Sequence, residues 1–261
     1  MAKTKTEKPV ILITNDDSIS APGIKALVEA VKDLGKVIVV APDKPQSGMG
    51  HAITLGHHLR LHKVHMVDGV DAYTCSGTPV DCVKLAVDKV LHRKPSICLS
   101  GINHGANHSI NVIYSVTMSA ALEASIESIP SIGFSLLDLS HEADFSAAAH
   151  FAGILIAKVL ADKNLDKHLC LNVNIPKLET KLIKGIKICK QAYAKYEEKY
   201  VERKDPYGKK YYWLTGEFIN FDKSKDTDVW ALNNNYVSVV PVQFDLTNHI
   251  IKEKLSKKWK W

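Results

Sequence analysis

The sequence predicts an α/β fold built on a mostly parallel sheet, and two observations carry this prediction. Two short apolar runs rich in β-branched residues, PVILITN at 9 to 15 and KVIVVAP at 36 to 42, are typical of buried strands. An amphipathic segment lies between them. Strand, helix and strand in this order form the βαβ unit of a parallel sheet.

The helix between these runs has both of its expected ends. Pro22 and Gly23 precede its apolar positions, and Gly35 stands where a helix commonly stops. The apolar positions have helical spacing: Ile24, Leu27, Val28, Val31 and Leu34.

The same alternation continues along the chain. It predicts helices at 78 to 91, 117 to 128 and 146 to 161, and strands at 96 to 103, 131 to 136, 168 to 176 and 236 to 242.

Beyond Pro176 the character changes, because charged and aromatic residues become frequent. The run DPYG at 205 to 208 predicts a turn between two extended arms, and therefore a protruding hairpin at about 191 to 225. Exposed aromatic residues on such an arm are typical of a contact with a partner subunit, so we expect an oligomer. The aromatic residues are Tyr193, Tyr196, Tyr200, Tyr211, Tyr212 and Trp213.

Length and composition predict one globular domain over residues 1 to 261, with a core at about 9 to 190 and 226 to 247 and a tail at 248 to 261. The hydrophobic fraction of 46% and charged fraction of 24% exclude collagen-like, disordered and disulfide-scaffold classes. No membrane span and no signal peptide are recognisable, so we expect a cytoplasmic protein without a membrane partner. The five cysteines include no C-x-x-C pair and are interpreted as reduced structural thiols.

The net charge of +6 suits an anionic substrate, although much of it comes from lysines near the C-terminus. No segment combines basic and aromatic residues as nucleic-acid readers do, so no nucleic-acid partner is expected.

Three polar loops follow predicted strands and should converge, because ligands of open parallel sheets bind beyond the carboxyl ends of the strands. These loops are NDDS at 15 to 18, PDKPQSG at 42 to 48 and NHGAN at 103 to 107. Adjacent carboxylates such as Asp16 and Asp17 repel each other unless a cation compensates, which favours a magnesium or manganese site. The alternative is that one of them caps the following helix or closes a turn.

Histidines suggest no competing metal site, since H-E-x-x-H is absent and His57, His58, His62 and His65 fall in a segment resembling an exposed β-ribbon. His51 and His104 lie near the proposed site, where either proton transfer or ordinary hydrogen bonding would explain them.

The sequence lacks the motif spacings of other phosphate-binding and phosphate-transferring proteins. No G-x-x-x-x-G-K-[ST] loop is present, and Gly48 and Gly50 lack the third glycine of a dinucleotide fingerprint, which argues against a nicotinamide-dependent oxidoreductase. The aspartates do not form D-x-D, and neither Cys75 nor Cys82 is followed by arginine six residues later. A covalent phosphoenzyme is therefore not expected.

Several motifs together resemble the SurE survival-protein family of metal-dependent nucleotidases. They are TNDDS at 14 to 18, APGI at 21 to 24, VVAPDKPQSG at 39 to 48, CSGTPVDCV at 75 to 83 and SGINHGANHSINVIYS at 100 to 115. DPYGKKYYWL at 205 to 214 and TDVWALNNNYVSVVPVQFDLT at 227 to 247 are also similar to the family, so the resemblance covers nearly the whole chain.

The resemblance implies a three-layer α/β/α Rossmann-like core, and a hairpin and C-terminal segment exchanged between subunits of a homodimer or homotetramer. It implies a 5′-nucleotidase, an acid-phosphatase-like phosphomonoesterase with one Mg²⁺ or Mn²⁺ per subunit. The expected substrates are nucleoside 5′- and 3′-monophosphates, with short polyphosphate for some members. Carried over by motif, the metal ligands are Asp16, Asp17, Ser47 and Asn103, and the catalytic residues are Asp16, Asp17 and Asn103. The expected substrate-binding residues are Asn15, Ser47, Gly48, Asn107, Ser115 and Thr117.

Two departures from the family pattern stand at glycine positions. Ser18 follows the aspartate pair, and Val116 interrupts the usual Y-S-G-T run. A valine at positive φ would be strained, so a shifted loop at 114 to 117 is expected if the glycine conformation is required there. This departure supports an alternative function: a nucleotide- or metal-binding sensor with impaired catalysis.

Overall fold

A computed structural model describes residues 8–260 of the chain. Residues 1–7, which carry most of the N-terminal stretch used to argue against a signal peptide, and Trp261 at the end of the predicted tail lie outside the described residues.

The core is a nine-stranded sheet with the strand order β3-β4-β2-β1-β5-β6-β7-β11-β8. The strands from β4 to β7 in this order run parallel, while β3 and β11 run antiparallel to their neighbours β4 and β7. β9 and β10 form a separate antiparallel pair. The strand bounds are β1 (Val10–Thr14), β2 (Lys36–Pro42), β3 (Leu61–Val64), β4 (Asp71–Cys75), β5 (Ile97–His104), β6 (Ser131–Leu136), β7 (Cys170–Ile175), β8 (Ile186–Ile188), β9 (Ala194–Lys204), β10 (Lys210–Asn220) and β11 (Val237–Val242).

Helices cover both faces of the sheet, which confirms the predicted three-layer α/β/α architecture. The helices are α1 (Pro22–Val31), α2 (Pro79–Leu85), α3 (Asn111–Tyr114), α4 (Val116–Ile126), α5 (Ser146–Ala161), α6 (Asp228–Asn233) and α7 (His249–Lys258). α1 and α5 share one buried apolar cluster with alternate residues of β1, whereas α2 and α4 pack on the opposite face. Within residues 8–260, no helix combines the length and apolar character needed to cross a bilayer.

β1 lies in the interior of the sheet, next to the central strand β5, and the strand order reverses there. β2, β4 and β3 extend the sheet on one side of β1, and the later strands from β5 onwards extend it on the other side. All five β1 residues are buried because helices cover both faces. The reversal places the crevice used by ligands of such folds directly after β1, where Asn15, Asp16 and Asp17 follow.

Most predicted elements have nearly the expected bounds, and β6 and α5 match theirs. The predicted helix at 78 to 91 is divided, because α2 continues into a π-helical segment at Ala86–Leu91. The sequence does not predict β4, β8, α3, α6 or α7. All five cysteines are free and buried, as expected.

The predicted hairpin is formed by β9 and β10. Asp205 closes the turn by accepting hydrogen bonds from the backbone N–H groups of Tyr207 and Lys209, and Gly208 has a φ of 78°. The aromatic residues named above for this arm are all at least 39% exposed. α7 has no buried residue. Exchange of the hairpin and the C-terminal segment between subunits stays a prediction.

Gly23 is required by the close crossing of α1 over β5. A Cβ atom at this position would lie 2.0 Å from the carbonyl oxygen of Ile102. We expect Gly23→Ala to destabilise the protein by about 2 kcal/mol, because backbone atoms must move to relieve the clash. Chemical denaturation monitored by circular dichroism measures this change.

Gly153→Ala is the matched control, since it also adds one methyl group to a helix of the same layer. There the added Cβ would meet its nearest neighbour, the carbonyl oxygen of Ala30, at 3.4 Å. The higher helix propensity of alanine should stabilise this variant by about 0.5 kcal/mol or more. Equal effects of the two substitutions would contradict the packing argument.

Candidate active site

A cavity of about 490 Å³ opens at the carboxyl ends of the central strands. Six of the residues predicted for the site line it: Asp16, Ser47, Gly48, Asn103, Asn107 and Ser115. The other three, Asn15, Asp17 and Thr117, are next to lining residues in sequence or hydrogen-bonded to them. A larger surface hollow of about 750 Å³ lies between α1 and α5, but it contains none of these residues.

Asp16 is a buried carboxylate held in a defined orientation. It is 4% exposed, and the Thr117 hydroxyl donates a 2.7 Å hydrogen bond to its Oδ1. The backbone N–H of Gln46 donates to the Asp16 carbonyl at 2.8 Å, which ties the loop after β2 to the loop after β1. Burial, reinforced by the negative charge of Asp17, raises the pKa of the Asp16 carboxyl from 3.8 to about 6.

Asp17 is the second acidic group and is only partly buried. Its Oδ2 accepts a 3.4 Å hydrogen bond from the backbone N–H of His104. Desolvation raises the pKa of this carboxyl as well, and the His104 hydrogen bond opposes the increase. Within residues 8–260, neither aspartate forms an ion pair with a lysine or arginine. Among the described residues, the Thr117 hydroxyl and the charge of His104 oppose the raised pKa values of Asp16 and Asp17, but no lysine or arginine neutralises the pair.

Asn103 has its amide oriented so that the oxygen is available. Its Nδ2 donates to the carbonyl oxygens of His104 and Gly105 at 3.0 and 2.9 Å, which leaves Oδ1 as an acceptor at the cavity. Asn15 is fixed in a similar way, because its Nδ2 donates to the Ser18 carbonyl at 2.8 Å. Ser18 has a φ of 87°, so it adopts the conformation for which a glycine would be favoured.

The donor set fits a hard divalent cation. Two carboxylates, the Asn103 amide oxygen and the Ser47 hydroxyl are all oxygen donors, as magnesium and manganese prefer. In the part of the chain described here, no cluster of three or more His, Cys, Asp or Glu side chains has the arrangement of a metal site. A cation in this cavity would therefore depend on two carboxylates and neutral oxygens, a composition that disfavours zinc.

The loop before α4 corrects the expectation of strain at Val116. Val116 is not at positive φ; it is the first residue of α4 and is buried. Ser115 precedes it as the N-cap, with extended backbone (φ −74°, ψ 119°), and its hydroxyl accepts from the Met118 N–H. Valine is compatible with this conformation because a helical start needs no glycine. A helix therefore begins at Val116, and its N-terminus borders the cavity through Ser115 and Val116. A helix N-terminus is suited to binding anions.

Asn107 is fixed by a buried polar network that was not predicted from the sequence. Its Nδ2 donates to the Ser135 hydroxyl at 2.7 Å, and its backbone N–H donates to Asn174 Oδ1 at 2.8 Å. Asn172 Nδ2 donates to the Asn107 carbonyl at 2.7 Å. The signal in the sequence was the asparagine pair inside the apolar strand LNVNI, since a buried amide in a strand needs partners.

The two histidines near the site make structural contacts. His51 Nε2 donates to Glu123 of α4 at 2.9 Å, and Lys84 also pairs with this carboxylate. His104 packs edge-on against the Phe145 ring with centroids 4.9 Å apart, and its backbone holds Asp17. These contacts favour the hydrogen-bonding interpretation over proton transfer. His57, His58, His62 and His65 are exposed, as expected.

Apolar and aromatic side chains that the sequence does not predict for the site also line the cavity. Leu137 and Leu139 come from the loop after β6, Tyr114 from α3, and Tyr196 and Phe218 from the hairpin. For Tyr196, the sequence predicts only a contact with a partner subunit. No periodic signal in the sequence links the hairpin to the loops of the sheet.

The fold and this site define a class: Rossmann-like α/β/α proteins with an acidic, oxygen-lined crevice at the point where strand order reverses. The family model described as "Survival protein SurE" matches residues 11–198. The chain belongs to the SurE family.

Individual relatives agree with this assignment. A protein of Flavobacterium johnsoniae named 5′-nucleotidase SurE is 58% identical over 257 residues, which are 98% of each chain. A protein of the same name from Flavobacterium psychrophilum is 59% identical over 243 residues, 93% of this chain and 94% of the relative. The crystal structure of the SurE protein from Aquifex aeolicus is 40% identical and superposes with a TM-score of 0.83, covering 96% of this chain and 99% of that one.

Proposed function

We propose that this chain is a divalent-metal-dependent phosphohydrolase that removes phosphate from nucleoside 5′-monophosphates. The observation that carries the proposal is the Asp16 and Asp17 pair, which has no lysine or arginine partner among residues 8–260 and of which Asp16 lines a ligand-sized cavity together with other oxygen donors. The relatives named 5′-nucleotidase SurE support the substrate class. Activity on 3′-monophosphates and short polyphosphate belongs to the same proposal.

Asp16, Asp17, Ser47 and Asn103 would hold one Mg²⁺ or Mn²⁺ per subunit. When bound, such an ion polarises a phosphate oxygen as a Lewis acid and lowers the pKa of a water molecule. The hydrogen bonds from Thr117 to Asp16 and from the His104 backbone to Asp17 keep both carboxylates in fixed orientations. Fixed ligands reduce the reorganisation that the reaction requires.

The substrate phosphate would lie against the start of α4 and the loop after β2. Ser115 and Gly48 line the cavity there, and the first N–H groups of α4 have no partner within the helix. Asn15, Asn107 and Thr117 belong to the proposed substrate-binding set, and hydrogen bonds inside the protein would hold their side chains in fixed positions. Phosphoryl transfer needs mainly positioning and charge neutralisation, which this arrangement supplies.

The deciding experiment is phosphate release from 5′- and 3′-nucleoside monophosphates and short polyphosphate, with magnesium, manganese or a chelator. Release that requires metal supports the enzyme. Nucleotide-induced thermal stabilisation without release under any metal would instead support the sensor alternative. That alternative rested on strain at Val116, and the helical start at this residue removes its argument.

The Ser47 loop offers a prediction about metal affinity. Segment 47–50 is anchored on one side by the Gln46 backbone and on the other by the His51–Glu123 hydrogen bond. We expect His51→Ala to raise the magnesium concentration needed for half-maximal activity about 10-fold, because Ser47 loses its fixed position. Saturating magnesium should restore most of the turnover rate. Metal-activation curves measure both quantities.

His65→Ala is the control for this variant. His65 is exposed, and its only ion pair in the part of the chain that the structure describes is with Asp68 at 3.6 Å. Its activation curve should match that of the wild type. A lowered rate of His51→Ala at every magnesium concentration, with an unchanged half-maximal point, would contradict the role in metal affinity.

We also infer that the protein is a homo-oligomer, a dimer or a tetramer, assembled through the hairpin and the C-terminal segment. Exposed aromatic residues of β9 and β10 that lie outside the cavity support this inference, namely Tyr200, Tyr211, Tyr212 and Trp213. The exposed Ile250, Ile251 and Trp259 of the C-terminal segment also support it. Light scattering of the intact chain measures the mass directly.

A further inference from the structure

Two aromatic residues at the base of the hairpin line the same cavity as the proposed metal ligands. Tyr196 of β9 and Phe218 of β10 are directly paired across the antiparallel ladder. Their ring centroids are 5.3 Å apart with the planes inclined by 63°. The pair borders the cavity that also contains Asp16, Ser47 and Asn103. The carboxylate of Asp16 and the aromatic rings of Tyr196 and Phe218 therefore line the same cavity.

His108, which follows β5, packs against this aromatic pair. Its ring packs edge-on against Phe218, with centroids 5.1 Å apart and planes inclined by 73°. His108 also lines the cavity, and its Nδ1 is buried without a hydrogen-bond partner among residues 8–260. His108 therefore fixes the Phe218 ring by packing at the border of the cavity.

We propose that Tyr196 and Phe218 form the wall on which the base of a nucleoside monophosphate stacks while its phosphate lies at the acidic end of the cavity. This inference rests on the proposed function and names the specificity-determining residues of that site. The cavity volume of about 490 Å³ lies within the range of about 300 to 1,000 Å³ typical of small-molecule sites. Tyr196 is 47% exposed, so an aromatic face remains available to a ligand.

The wall favours purine over pyrimidine monophosphates, since a larger ring system covers more of the aromatic surface. The leucines of the loop after β6, Leu137 and Leu139, add apolar lining without hydrogen-bonding groups in their side chains. Stacking accepts any base because every base has a π face, so the preference is graded.

The test compares substrates with and without a base. We expect Phe218→Ala to lower kcat/KM for AMP roughly 5- to 100-fold, mainly through KM, and to leave kcat/KM for ribose 5-phosphate unchanged. Phe218→Leu should give a smaller loss on AMP, because it keeps apolar contact without the aromatic face. Tyr200→Ala is the control, since Tyr200 is an exposed aromatic residue of the same hairpin that does not line this cavity.

If Phe218→Ala lowers kcat/KM equally for AMP and ribose 5-phosphate, or does not lower it for AMP, the proposal that the base stacks on Tyr196 and Phe218 is wrong. Light scattering of each variant separates a changed assembly from a changed site. If the wild type releases phosphate from no substrate, the proposed function is wrong. Calorimetric measurement of AMP binding then tests whether the base stacks on Tyr196 and Phe218. Binding weakened by Phe218→Ala and unaffected by Tyr200→Ala would support it, and equal binding by all three proteins would overturn it.

Discussion

Asp17→Ala should lower metal-dependent phosphate release by at least about 10³-fold. Removal of one of the two carboxylates takes away half of the negative charge that would hold a divalent cation, and the remaining donors are neutral oxygens. The effect should appear in both kcat and kcat/KM at ordinary magnesium concentrations. Steady-state kinetics over a magnesium titration measures it.

Asp43→Ala is the matched control because Asp43 follows β2 at the same edge of the sheet. Asp43 is exposed and does not line the cavity. Its activity should stay within about twofold of the wild type. An Asp17→Ala enzyme with nearly normal kinetics would exclude Asp17 from the proposed metal site.

Asp16→Asn should make the metal-free protein more stable although it impairs the proposed reaction. The folded-state pKa of Asp16 is about 6, above the value of 3.8 for an unperturbed carboxyl, so the folded protein binds more protons between these two values. The free energy of unfolding therefore falls as the pH rises from about 4 to about 6 and stays low above that range. The loss for the wild type is on the order of 3 kcal/mol. Asparagine has no such titration and keeps the Oδ1 acceptor for Thr117.

Thermal unfolding in the presence of a chelator tests this expectation. At pH 8 we expect the Asp16→Asn melting temperature to exceed that of the wild type by up to about 10 °C, and at pH 4 the two should coincide. Asp43→Asn should show no gain. Saturating magnesium should reduce the difference, because only the wild type binds it tightly. A metal-free Asp16→Asn protein less stable than the wild type at pH 8 would refute the electrostatic account.

The elements that the sequence predicted best are those whose pattern is local. β6 and α5 are apolar enough along their own lengths for periodicity to define their ends. The site residues at the carboxyl ends of β1, β2 and β5 were predicted for a related reason, since parallel strands bring these ends to one edge, although Asn103 lies within β5 and not in the loop after it. Asp16, Ser47 and Asn103 line one cavity as a result. Their roles in binding metal and substrate remain predictions.

The elements that were missed depend on contacts between distant segments. β4 has the sequence DAYTC, which has little strand character of its own and becomes a strand by pairing with β2. The aromatic wall of Tyr196 and Phe218 depends on where the base of the hairpin meets the sheet. The expected strain at Val116 was wrong because the comparison with glycine assumed a turn, whereas a helix begins at that residue.

The interior position of β1 also determines at which stage of unfolding the site loses its structure. Every β1 residue is buried, and β2 and β5 pair with it along its length. Its amide protons should therefore belong to the slowest class in hydrogen exchange, opening only when the whole sheet opens. Fraying of the outer strands β3 or β8 leaves the Asp16–Asp17 pair in place. Inactivation by denaturant should thus coincide with global unfolding, which makes residual activity a direct count of folded molecules.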